Sequence, residues 1–146
     1  SRTGTEEVME GAIEVLVLDD EATVCERLEE YLTGKGYRVE TFTESRAALE
    51  RLDEKVFDVI VTDLKMQKPD GMEVFREIRD RGLPTQVIMI SAYASIERCR
   101  AGQYTGLFEF VTKPFRMSDI AKLVRSAAKK RRKLGNTTST PEGGGS

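Results

Sequence analysis

Four short apolar runs, each ending in a polar or charged residue, constrain this chain more than any other feature. Val15-Leu16-Val17-Leu18 ends in Asp19-Asp20, with Glu21 behind, and Val59-Ile60-Val61-Thr62 ends in Asp63. Val87-Ile88-Met89-Ile90 ends in Ser91, and Phe110-Val111-Thr112 ends in Lys113-Pro114. Apolar runs without polar alternation are the mark of strands covered on both faces, which is the condition of a parallel sheet. The carboxylates, the hydroxyl and the ammonium then all emerge at carboxyl ends of strands. In an open α/β sheet that edge is where ligands bind, so distant stretches of sequence converge on one small site.

Helix-like spacing fills the gaps between the runs. Val24, Leu28, Tyr31 and Leu32 share one helical face, stopped by Gly34-Lys35-Gly36. Tyr37, Val39 and Thr41 alternate with Arg38, Glu40 and Phe42, which predicts a shorter, less buried strand. Ala48, Leu49 and Leu52 mark a second helix, and Val74, Phe75 and Ile78 a third that ends near Gly82 and Pro84. Around Ser95–Ala101 the apolar positions are few and Gly102 and Gly106 follow, so a short or mobile helix is expected there. Ile120, Leu123, Val124 and Ala127 predict a final helix. The sum is five βα units and a parallel sheet with helices on both faces. Residues 1–11 and 135–146 lack apolar periodicity and read as a flexible flank and a flexible tail or linker, leaving a folded unit over 12–134.

At 146 residues the chain fits one domain that can fold without metals or disulfides, and its net charge of −2 gives no reason to expect nucleic acid as the main partner. Cys25 and Cys99 have no CxxC spacing and the chain has no histidine, which removes most zinc and Cys-His catalytic chemistry. With no apolar stretch long enough to span a bilayer and no signal-peptide pattern, the expected location is cytoplasmic. Lys129-Lys130-Arg131-Arg132-Lys133 reads first as solvated charge near a helix end, and otherwise as a linker or a nucleic-acid contact.

Several carboxylates brought together repel, and a bound cation or a raised pKa resolves the repulsion. Hard oxygen donors suit Mg²⁺, with Asp20 and Asp63 as direct ligands and Asp19 in a supporting or water-mediated place. Lys113 supplies a second positive contact for an incoming phosphoryl group and Ser91 a hydroxyl. Phosphoryl transfer rests mainly on such positioning and neutralisation, and a carboxylate can serve as its nucleophile. Each residue also has a plain structural reading: Asp19 to Glu21 as a helix start, Ser91 as a helix cap, Phe110 as core.

Leu18-Asp19-Asp20-Glu21, Thr62-Asp63-Leu64-Lys65-Met66 with Asp70-Gly71, Ile90-Ser91-Ala92 and Val111-Thr112-Lys113-Pro114-Phe115 together resemble the signature blocks of bacterial two-component response-regulator receiver domains. The resemblance covers about Ile13 to Lys133, in order. It implies a flavodoxin-like fold with strand order 2-1-3-4-5 and a switch point beside the first strand. It implies Asp63 as phosphoacceptor, with Mg²⁺ on Asp20, Asp63 and the carbonyl of Lys65, assisted by Asp19. Ser91 becomes the switch hydroxyl, Lys113 the phosphate contact, and Phe110 the aromatic that follows phosphorylation. Lys65 and Tyr93 hold positions that tune dephosphorylation, and bulky Tyr93 is expected to screen the attacking water. Pro114 is expected to follow a cis peptide. The implied partners are a histidine kinase or a histidine phosphotransfer protein, an output domain or effector, and a second copy paired through the fourth helix, fifth strand and fifth helix. Such a domain is a switch rather than an enzyme, catalysing only its own phosphorylation from a donor and its slow hydrolysis.

The sequence departs from the family at Gln67, where proline is usual, at Leu107, where alanine is usual, and at Gln103-Tyr104-Thr105. Leu107 is expected to crowd the inward path of Ser91. A haloacid-dehalogenase-type phosphohydrolase is an alternative, but that chemistry wants Asp-x-Asp and the second position here is Lys65. A flavin- or nucleotide-binding flavodoxin-like protein needs a phosphate loop where Asp19-Asp20-Glu21 stands. A non-phosphorylated docking module of the same fold is the remaining alternative.

Overall fold

The computed structural model describes residues 11–67, 69–92, 97 and 106–139. Strands and helices alternate: β1 (Glu14–Leu18), α1 (Ala22–Gly34), β2 (Arg38–Phe42), α2 (Ser45–Glu54), β3 (Val59–Asp63), α3 (Gly71–Asp80), β4 (Gln86–Ser91), β5 (Glu109–Thr112) and the final helix α4 (Met117–Ser139). The strands form one parallel sheet in the order β2-β1-β3-β4-β5. This is the flavodoxin-like order 2-1-3-4-5. The chain winds first one way from β1 and then the other, so the strands diverge on either side of β1 and β3 and leave a crevice at their carboxyl ends.

The apolar runs are buried because each strand feeds both faces. Val15, Val17, Val59, Val61, Ile88 and Ile90 project into a cluster closed by α1 and α4, with Leu28, Leu32, Ile120 and Val124. Leu16, Leu18, Ile60, Val87 and Met89 project into a second cluster with Leu52 of α2 and Phe75 and Ile78 of α3. The period of two along each strand sends neighbours to opposite clusters. Each fully buried aliphatic side chain contributes about 1.5–3 kcal/mol.

α1 stops where the sequence suggests. The amides of Lys35 and Gly36 donate to the carbonyls of Leu32 and Thr33 at 3.0 and 2.9 Å, and Gly36 takes φ +93°. That left-handed turn costs an L side chain energy and lets the chain double back into β2.

The two edge strands differ from the three central ones. β2 is half-buried, as its alternation predicts, and a charge network joins it to β1 and to the end of α2. Arg51 grips Glu40 with Nε and Nη2 at 2.8 and 3.0 Å, while Lys55 Nζ lies 2.9 Å from Glu14 and 3.3 Å from Glu40. Such charges blunt an exposed sheet edge. β5 corrects the sequence reading, because Phe110-Val111-Thr112 is not buried on both sides like the other runs. It is the other edge, next to β4 alone, and only half-buried.

The expected helix around Ser95–Ala101 lies outside the described residues, apart from residue 97, which is helical. α4 continues to Ser139, past the expected limit at Leu134. Gly135 weakens a helix by only about 1 kcal/mol, too little to end one already running. Among the described residues no helix is long and apolar enough to cross a membrane.

Candidate functional site: an acidic crevice at the carboxyl edge

Asp19 leaves the end of β1 at the switch point and is buried, 2% exposed. Its amide donates to the carbonyl of Phe42 at 3.0 Å, and its carboxylate Oδ1 accepts the amide of Glu21 at 2.9 Å. The side chain therefore braces the turn into α1 as well as facing the crevice. Asp20 beside it is exposed and lines an open cleft of about 590 Å³ with Thr43, Glu44, Ser45, Arg46 and Gln67. Asp63, the last residue of β3, is 6% exposed. Its carbonyl accepts Thr62 Oγ1 at 3.0 Å, and the next amide, of Leu64, donates to the carbonyl of Ile90 at 2.8 Å.

Carboxylate oxygens of Asp19, Asp20 and Asp63 lie within 4.8 Å of one another. Lys113 reaches the group from β5: its amide donates to the Ser91 carbonyl at 2.9 Å and its Nζ lies 3.5 Å from Asp63 Oδ1. The Lys113–Pro114 peptide is cis. Burial pushes Asp19 up to about 6, against the amide of Glu21 and with help from Asp63. Burial also raises Asp63, partly offset by Lys113. One ammonium does not neutralise three carboxylates, and this donor set of close, hard oxygens fits a small divalent cation. Burial drives the Cys25 thiol beneath the site up to about 11, which disfavours its thiolate.

Ser91 ends β4 and is buried. Alternation puts it on the same face as Val87 and Met89, the face that also holds Phe110, whose register partner is Met89. Leu107 packs against that cluster too. Lys65 is exposed in the loop after β3, and Tyr93 lies outside the described residues.

Residues 15–125 match the response regulator receiver domain family. The chain belongs to the response-regulator receiver-domain family. Among the relatives of this receiver domain, the transcriptional regulatory protein ZraR of Escherichia coli O157:H7 is 31% identical over 115 residues, covering 79% of this chain and 26% of that one. The DNA-binding transcriptional regulator NtrC of Escherichia coli K12 is 30% identical over 113 residues, covering 77% and 24%. The receiver thus spans about a quarter of the length of these curated relatives. A crystal structure of a response regulator receiver domain protein from Clostridium thermocellum superposes with a TM-score of 0.77 at 28% identity, over 84% of this chain and 98% of that one. Receivers of this family serve as phosphoacceptor signalling modules.

Sequence reasoning placed Asp19, Asp20, Asp63 and Lys113 in one site, and the receiver fold brings them together. It missed the part played by Gly71. A Cβ built on Gly71 would stand 2.5 Å from the Asp63 carbonyl oxygen, 2.7 Å from Met89 Sδ and 2.8 Å from Leu64 Cα. The first turn of α3 is thereby seated directly on the backbone of Asp63. A glycine at a helix start, immediately after a capping aspartate, is the signal that marks such a close approach.

Proposed function

We propose that this receiver takes a phosphoryl group on Asp63, with Mg²⁺, from a phosphohistidine of a histidine kinase or phosphotransfer protein, and that the new charge alters the Ser91 and Phe110 face. The observation that carries this reading is Asp63 itself: a buried strand-end carboxylate with an ammonium at 3.5 Å and two further carboxylates close by. Asp20, Asp63 and the carbonyl of Lys65 would hold the metal, with Asp19 in support. When bound, Mg²⁺ supplies positive charge that offsets both the carboxylates and the oxygens of the phosphoryl group.

An oxygen of Asp63 forms the new O–P bond as the P–N bond of the donor breaks, and the electron pair leaves with the imidazole nitrogen. The donor histidine must belong to another molecule, since this chain has none. Lys113 Nζ, 3.5 Å from Asp63 Oδ1, would pair with a phosphoryl oxygen, exchanging one anionic partner for another. Ser91 then offers its hydroxyl, and because it shares a face with Phe110, its movement opens room on that side of the sheet. Lys65 and Tyr93, the latter outside the described residues, would tune the hydrolysis of the phosphoryl group. β5 and the outer side of α4 form part of the surface through which two copies would pair.

Intact mass after incubation with acetyl phosphate and Mg²⁺ tests the reading. A single phosphoryl adduct is expected, lost on adding EDTA beforehand and absent in Asp63→Asn. An adduct that persists in that variant, or none in the wild type, overturns it.

A further inference from the structure

At the opposite edge of the sheet, away from the acidic crevice, a second buried carboxylate has a set of partners that the phosphoacceptor chemistry does not use. Asp58 precedes β3 and is 6% exposed. Its Oδ2 accepts the amide of Glu14 at 2.9 Å, its own amide donates to the Glu14 carbonyl at 2.9 Å, and its carbonyl accepts the amide of Gln86 at 3.1 Å. One residue thus joins the beginnings of β1, β3 and β4.

The final helix reaches the same point. From Met117 to Arg132 it rises about 22 Å, enough to cross strands about 17–20 Å long. The basic run then divides. Lys129, Lys130 and Lys133 are exposed, whereas Arg131 and Arg132 turn inward. Arg132 Nε and Nη2 donate to Asp58 Oδ1 and Oδ2 at 3.2 and 3.1 Å. Its Nη2 and Nη1 also donate to the carbonyls of Ala12 and Gly11 at 3.1 and 3.3 Å. Arg131 Nε adds charge at 3.5 Å from Asp58 Oδ1 without hydrogen-bond geometry. A planar guanidinium can span a carboxylate and adjoining carbonyls at once, which an ammonium cannot.

We propose that Asp58 and Arg132 form a clamp that fixes the course of the final helix as it leaves the domain and ties that helix to the segment leading into β1. Two of the five residues of the basic run, Arg131 and Arg132, then belong to a structural lock, and Lys129, Lys130 and Lys133 are exposed. The clamped edge acts as a fixed base while the phosphoacceptor edge, at the other ends of the same strands, is free to change. The inference stands on geometry alone and does not depend on phosphorylation of Asp63.

Amide hydrogen exchange on the full chain tests it, comparing the wild type with Arg132→Met, Arg132→Lys and Asp58→Asn. In all three variants the amides of Glu14 and of residues 128–139 should exchange on the order of tenfold faster or more, with smaller changes in the centres of β3 and β4. Arg132→Lys keeps the charge but loses the fork, so it should be nearly as loose as Arg132→Met. The clamp is overturned by a uniform acceleration across the whole sheet, by no local change, or by full protection in Arg132→Lys. Should Asp58→Asn fold poorly, the two Arg132 variants decide the matter alone.

Discussion

Asp19 carries the electrostatic cost of the acidic crevice. In the folded chain its carboxyl is raised to about 6 from the ordinary 3.8, first by burial and then by Asp63. Folding therefore favours the protonated form, and stability is lost as pH rises through the window between those values. Without metal, Asp19→Asn should be no more stable relative to wild type at pH 4, and then gain on it up to about pH 6 and level off. The final difference should be on the order of 1–3 kcal/mol. Urea midpoints in EDTA at several pH values measure this, and a difference independent of pH would show that burial does not tax the charge. Gly71 is governed by contact rather than charge. Gly71→Ala must push back the Asp63 carbonyl, Met89 or Leu64. It should destabilise by about 1–3 kcal/mol and slow phosphorylation by acetyl phosphate more than the stability loss alone explains. Full activity at saturating donor would mean that the phosphoacceptor backbone does not move with α3.

α3 shows how an element can be legible in its middle and not at its start. Val74, Phe75 and Ile78 give the helical face, and all are buried. Its beginning depends on side chain to backbone bonds: Asp70 Oδ1 accepts the amide of Glu73 at 3.0 Å, and Glu73 Oε1 accepts the amide of Asp70 at 2.8 Å. The Asp-x-x-Glu spacing was present in the sequence but was not needed to find the helix. Asp70→Ala should cost about 1 kcal/mol in urea unfolding, and Asp70→Ser should restore most of it. Equal losses in both variants would assign the effect to something other than the cap. β5 is the reverse case. Its apolar run looks like those of the central strands, yet only its place beside β4 decides that it is an edge and half-exposed. Burial of a short run depends on how many neighbours the topology gives it, which local pattern does not encode.

Across the molecule, the carboxyl edge was legible because four strand ends carry polar residues that a buried strand would not otherwise hold. The opposite edge was not. Asp58 and Arg132 are 74 residues apart and each looks like ordinary surface charge until the fold brings them to 3.1 Å. The two edges belong to the same strands, so occupancy of one should be felt in the stability of the whole. A cation that binds the folded crevice and not the unfolded chain stabilises by mass action, about 2.7 kcal/mol at a hundredfold excess over Kd. For a domain of this size that raises Tm on the order of 10 °C. The rise should be smaller at pH 5 than at pH 7, because both Asp19 and Asp63 are shifted upward and must lose protons before they can serve a cation. It should shrink in Asp63→Asn and in Asp20→Asn. Calorimetry with and without MgCl₂ at the two pH values separates the cases. An equal rise in wild type and both variants would place the cation elsewhere on the surface and leave the three carboxylates without the partner that their proximity calls for.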